Sequence, residues 1–286
     1  MANTTSSTLL TTLIPAIVAE ALFVAQERSL MRGLVRNYTL PAGSGKKITV
    51  PIYPAQVANN VAENTDLLPE AITTLGADLV VGEVGLMTTV TDLARTVSSA
   101  NVISDVGNLF GTAIATKMDR DLTGLFSSFT ATVGDLTTNG GVTPDLIAKA
   151  IMKLRGQGIP MTDVAVVLNP DVAYDFIKTL TNTFTNPNAG VLQNEAMLTG
   201  MVGRFMGVPI YVTSNVLNNG TAGDYVGAVF HRDALGMAML QDIKLESQRD
   251  ASLRADELVA TAVYGKGVLY NAYGVGIVAD AFVLGG

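Results

Sequence analysis

Hydrophobic positions change period several times along this 286-residue chain, and each change marks an expected element. Near the start, Leu10, Leu13, Ile14, Ile17, Ala21, Leu22 and Ala25 recur at three- and four-residue spacing, which predicts an amphipathic helix. The same run is apolar enough to suggest a secretory signal, but no Lys or Arg precedes it and Glu20 interrupts it. From Thr49 to Arg95, Val, Ile and Thr are punctuated by Pro51, Pro54, Pro69, Gly76, Gly82 and Gly85. The runs KKITVPIY and VGLMTTVTDL bracket an acidic middle, VAENTDLLPEAITTLGAD, so a long two-stranded excursion is expected. A connection that long points to a projecting or functional element.

The period then becomes helical. Val102, Ile103, Val106, Leu109, Phe110, Ala113, Ile114, Met118, Leu122, Leu125, Phe126 and Phe129 keep it for more than seven turns. A helix of that length spans roughly 40 Å, with Ser98, Ser99 or Asn101 as candidate cap. Thr143 and Pro144 open a further helix that Gly156 or Gly158 stops. DVAVVL reads as a buried strand, after which Asn169 caps a helix opened by Pro170. VPIYVTS and VGAVF read as short strands, and the last third alternates β-branched and small residues through glycine turns. Helices and strands in segregated regions imply an α+β fold.

One stretch, GRFMGVPIYVTSNV, is ambiguous on its face. Gly203 and Gly207 read as points of close approach between chain elements, and Pro209 suggests an edge strand or a strand start. Thr213, Ser214 and Asn215 are polar enough for an active site, but read better as turn chemistry ending a strand.

Composition narrows the functional classes. Only 15% of residues are charged against 48% hydrophobic, below the usual charge of a soluble monomer. No uncharged apolar run is long enough to span a bilayer, so no membrane partner is expected. Burial against other subunits is the leading explanation. The net charge of −7 and lack of a clustered basic face argue against specific nucleic-acid binding. With no cysteine, disulfides, thiolate nucleophiles and cysteine-ligated metals are excluded.

Candidate chemistry is thin. PAGSGKKI lacks the first glycine of a phosphate loop, has Lys47 where Ser or Thr is needed, and precedes a strand. GVGIVA, from Gly274 to Ala279 with Asp280 beside it, matches a dinucleotide fingerprint in letters only, because no helix and strand can follow it. His231, the single histidine, stands beside Arg232 and Asp233, lacks a nucleophile elbow and reads as a surface hydrogen-bonder. Asp119 and Asp121 lie two apart on a helix and do not share a face. Glu63, Asp66, Glu70, Asp78 and Glu83 form an acidic edge rather than a metal cage. No catalytic, cofactor-binding or metal-ligating residue is assigned, no cofactor is expected, and the chain is not expected to be an enzyme.

The order of elements carries more information than any motif. It resembles tailed-bacteriophage major capsid proteins of the Hong Kong 97 fold, along essentially the whole chain. The local carriers are VVLNPDVAYDFIKTL, GRFMGVPIYVTSNV and LVATAVYGKGVLYNAYGVGIVAD. The resemblance implies an N-terminal arm at 1–34 and an extended loop at 35–97 lying across a neighbouring subunit. It further implies a peripheral domain at 98–137 and 245–272 built on the spine helix, and an axial domain at 138–244 and 273–286. It also implies self-assembly as pentamers and hexamers into an icosahedral shell around phage DNA, in the virion, after assembly in the host bacterial cytoplasm. Portal and decoration proteins would be partners, and packaged DNA would be touched only non-specifically. About 35 residues precede the excursion, too few for a fused scaffolding domain, so a separate scaffolding protein is expected. No lysine lies between Lys47 and Lys117, so the covalent crosslink some relatives form through an extended-loop lysine is not expected. Loop and N-terminal arm would swing as two-state elements during maturation, by analogy with the family. An encapsulin-like compartment shell is the alternative within this fold; a secreted adhesin or surface-layer protein is the alternative outside it. A hydrolase using His231 is the third reading.

Overall fold

The computed structural model describes residues 29–41, 43, 45–53, 58, 60, 71, 72, 74–97, 102–135, 141–183, 201–219 and 223–281. The expected N-terminal helix, most of the acidic middle of the excursion and the Ser98, Ser99 and Asn101 caps lie outside the described residues. The chain runs α1 (Leu30–Leu34), β1 (Arg36–Thr39), β2 (Lys47–Ile52), β3 (Leu75–Thr91), α2 (Asp92–Val97) and α3 (Val102–Thr123). A 3-10 turn (Gly124–Ser128), β4 (Thr132–Val133), α4 (Pro144–Gly156), β5 (Val164–Leu168) and α5 (Pro170–Thr183) follow. The last third is β6 (Met201–Phe205), β7 (Val208–Val212), β8 (Asp224–His231), β9 (Leu235–Asp250), β10 (Ala255–Val268) and β11 (Gly274–Asp280). Two sheets result, ordered β1-β9-β10-β3-β2 and β4-β11-β8-β5-β7-β6. Among the described residues no helix is long and apolar enough to cross a membrane.

The spine, α3, owes its packing to a four-residue step. Val106, Phe110, Ile114, Met118 and Leu122, then Phe126 in the turn beyond, are buried in one line. Leu109 and Ala113, which share the helical period, fall on the other side, and Leu109 is 66% exposed. The helix also ends sooner than its periodicity suggests. Its 22 residues cover about 33 Å, and at Gly124 the chain tightens into the 3-10 turn. There the Thr123 hydroxyl donates to the carbonyls of Arg120 and Asn215, at 3.2 and 2.9 Å. The tighter winding turns Phe126 and Phe129 inward, with ring centroids 6.4 Å apart.

The spine core draws on both sheets. Leu258, Ala260, Ala262 and Tyr264 of β10 and Ala228 and Phe230 of β8 pack in the same cluster as the α3 stripe. On the other face of the second sheet, Ile147, Ile151 and Leu154 of α4 and Val172 and Phe176 of α5 meet Val166, Leu168, Val229 and Ile277. β5 is therefore buried at every position, as its unbroken apolar run demands. β3 divides its side chains by parity. Leu79 and Val81 join Leu40, Ala238 and Leu269 in a small cluster, whereas Val84, Leu86 and Val90 pack against the spine core.

Local signals hold where they were strongest. The Thr143 hydroxyl accepts from the Leu146 N–H at 3.3 Å, with Pro144 in the first turn of α4. Asn169 accepts from the Asp171 N–H at 2.9 Å as α5 begins. α2 was not expected; it extends from the end of β3, and its Thr96 hydroxyl donates back to the Asp92 carbonyl.

The stretch from Gly203 to Val216 reads differently in three dimensions. β6 and β7 form a hairpin with Phe205 paired to Val208, so the turn is Met206 and Gly207 alone. Their φ angles of 52° and 85° are those of a mirror-image two-residue turn. A side chain on Gly207 would meet nothing within 4 Å, so conformation, not close approach, selects this glycine. β7 lies inside the sheet between β5 and β6, which leaves Pro209 as a strand-start proline rather than an edge one. The Thr213 hydroxyl accepts from the Asn215 N–H at 3.2 Å, the turn expected there.

Candidate assembly surface

The β2–β3 ribbon leaves large apolar side chains exposed. β2 pairs antiparallel with residues 75–80 of β3, and from Val81 onward β10 takes over as partner. Tyr53, Leu75 and Val80 are each about three-fifths exposed, as is Met87 farther along β3, opposite Val259 of β10. A ribbon this apolar needs a second surface to cover it. Its polar residues engage one another: Lys47 donates to Asp78 and Thr49 does the same, both at 2.7 Å. These hydrogen bonds hold the Asp78 carboxyl below its ordinary value.

Near its C-terminal end the spine presents two carboxylates in opposite directions. Asp119 is 1% exposed. Burial pushes its carboxyl above the usual range, and hydrogen bonds from Ser29, the Met31 and Leu30 N–H groups and Asn215 offset only part of that rise. Asp121 looks outward to Lys117, Lys266 and Tyr264, all at 2.8 Å. Burial again acts to raise this carboxyl, but the hydrogen bonds from Lys117, Lys266 and Tyr264 outweigh it and the net shift is downward. The two residues share no face, as their spacing requires, and the sequence reading missed what Asp119 does. The available signal was an acidic residue flanked by Met118 and Leu122 within the apolar stripe.

Other candidate residues have structural occupations. His231 is 8% exposed, not on the surface, because β8 carries it to a position opposite Val164 of β5. Its Nδ1 accepts the Asp233 N–H at 3.2 Å, so the nitrogen that must donate to a triad carboxylate is already an acceptor. GVGIVA lies within β11, with Gly274 against the Phe129 ring. PAGSGKKI turns into β2, with Gly43 and Gly45 at positive φ. Asp78 and Glu83 lie on β3, while Glu63, Asp66 and Glu70 fall outside the described residues. Among the described residues no three histidine or carboxylate groups converge as a metal site would require.

A family described as "Phage capsid protein" matches residues 76–280, from the second residue of β3 to the last of β11. No curated protein matches the chain. Solved structures share the fold at low identity. A structure from Mycobacterium phage Che8 is 22% identical with a TM-score of 0.67, covering 87% of this chain and 90% of that one. The capsid of Ralstonia phage GP4 is 8% identical with a TM-score of 0.70, covering 88% of each chain. The capsid of cyanophage P-SCSP1u is 18% identical with a TM-score of 0.68, again covering 88% of each. These likenesses carry the fold, which is the α+β, Hong Kong 97-type architecture expected from the order of elements. Because the family match takes in the spine, the whole second sheet and β3, β9 and β10 of the first, the chain belongs to the phage capsid protein family and is a major capsid protein of the phage head shell.

Proposed function

We propose that this chain acts by assembly alone, as pentamers and hexamers closing into an icosahedral shell around phage DNA in the host bacterial cytoplasm. The observation that carries the reading is the β2–β3 ribbon, which leaves Tyr53, Leu75 and Val80 uncovered in a chain with few charges. On this reading 35–97 is the loop that lies across a neighbour and 1–34 is the N-terminal arm. Residues 98–137 and 245–272 form the peripheral domain; 138–244 and 273–286 form the axial domain. The packing of α3 on β10 supports the first grouping and that of α4 and α5 on β5 the second. β9 runs through residue 244, so the two domains would share a strand. A separate scaffolding protein, a portal and a decoration protein would be the partners, with DNA contacted non-specifically and no cofactor bound.

Electron microscopy of the expressed chain tests this. Closed shells are expected when the chain is produced with its scaffolding protein, and irregular particles when it is produced alone. Uniform shells from the chain alone would overturn the separate scaffold. Absence of shells under both conditions would overturn assembly as the sole activity.

A further inference from the structure

Donors from two distant stretches converge on one buried carboxylate. Oδ1 of Asp119 accepts from Ser29 Oγ at 2.8 Å and from the Met31 N–H at 3.2 Å. Oδ2 accepts from the Leu30 N–H at 3.1 Å and from Asn215 Nδ2 at 3.4 Å. One turn along the spine, Thr123 donates to the Asn215 carbonyl. The far side of the same loop is held by Asn169 Nδ2, which donates to the Val216 carbonyl at 2.8 Å. The Thr213 N–H completes the hold, donating to Leu168 at 3.0 Å. Residues 213–216 thus bridge the spine and the start of α5, and the carboxylate that receives them also receives the chain at Ser29.

A desolvated carboxylate with no cation among these partners depends on the sum of its donors. If the Ser29–Met31 donors withdraw, water must enter to replace them and competes directly with Asn215. If Asn215 withdraws, the same water competes with the Leu30 and Met31 amides. We propose that Asp119 is a positioning residue that makes docking of the chain at residues 29–31 and seating of the 213–219 loop one cooperative event. The chain at Ser29–Met31 is then anchored to the second sheet through this loop as well as to the spine. The linkage is reciprocal, as any coupling free energy must be. It goes beyond the assembly reading and does not depend on it.

Hydrogen–deuterium exchange of the full-length chain tests the coupling on three peptides: residues 29–35, residues 213–219, and the interior of β10 as a global control. S29A should speed exchange in the 213–219 peptide about threefold or more, and N215A should do the same at Leu30 and Met31. The β10 peptide should hold its rate in both. The S29A/N215A double variant should add less than the sum of the single effects. In a D119A background neither substitution should add anything. A contact that only props up its own segment predicts the opposite, with each substitution speeding its own peptide and the other peptide at the wild-type rate. That result, or full additivity in the double variant, overturns the proposal. Should D119A open the whole chain, the two mild variants and their combination decide the question.

Discussion

Arg249, near the end of β9, grips Asp92, the first residue of α2, through two parallel hydrogen bonds of 2.8 and 2.6 Å. The same guanidinium reaches the buried Asp256 of β10 at 3.2 Å. One side chain therefore ties the far end of the β9–β10 hairpin to the place where β3 becomes a helix. Lysine keeps the charge but not the fork, so R249K should lose part of this join and R249A all of it. In thermal unfolding the midpoint should fall in the order wild type, R249K, R249A. Added salt should narrow the gap, because the pair with Asp92 is partly exposed. Equal midpoints for R249K and wild type would show that the bidentate geometry contributes nothing.

The two carboxylates near the C-terminal end of the spine, Asp119 and Asp121, should give opposite pH signatures. Asp121 sits below its ordinary value of 3.8 in the native protein, so its contribution is present above 3.8 and is lost as pH falls through the lower native value. The stability difference between wild type and D121N should accordingly shrink on acidification. Asp119 sits above 3.8, so its contribution is complete below 3.8 and is lost as pH rises through the raised native value. D119N should remove that loss. Urea unfolding across the acid range reads both, and parallel pH profiles for the two variants would contradict the assignment.

Two glycines should fail for different reasons. At Gly207 the only penalty for alanine is the left-handed backbone, about 1 kcal/mol. At Gly274 an added methyl would run into the Phe129 ring, which is buried and stacked near Phe126, so G274A should cost about 3 kcal/mol. Chemical denaturation should separate them clearly, and a G207A cost equal to that of G274A would refute the distinction.

Particles boiled in denaturant should run as monomer on a gel. Between Lys47 and Lys117 the sequence has no lysine, and Lys47 is engaged with Asp78 across the ribbon. A ladder of multiples of the 29.9 kDa subunit would show a covalent link formed by some other residue.

Local chemistry was the legible part of this fold. Thr143 followed by Pro144, Asn169 followed by Pro170, and the apolar step of α3 all depend on neighbours within a few residues, and the structure keeps each of them. What escaped depends on distance or on an atypical residue. The hairpin turn uses Met206, not the asparagine or aspartate that usually announces a left-handed pair. His231 is buried by a strand that arrives from residue 164, and nothing beside it in sequence foretells that. Asp119 meets Ser29 across 90 positions, so its spacing from Asp121 describes only half of its circumstances. For the assembly surface, low charge signalled that something must be covered, while which residues stay bare emerged only from the pairing of β2 with β3.

That pairing has a mechanical side. β3 passes from its partner β2 to its partner β10 between Val80 and Val81, and the Val81 N–H still donates to the carbonyl of Lys46 at 2.9 Å. The ribbon is thus a cantilever built into the main sheet, with no backbone break at its root. A load on its tip is carried as bending moment into β10 and, through Leu258, Ala260 and Ala262, onto the spine. A neighbour pulling on the ribbon would twist the sheet rather than swivel a hinge.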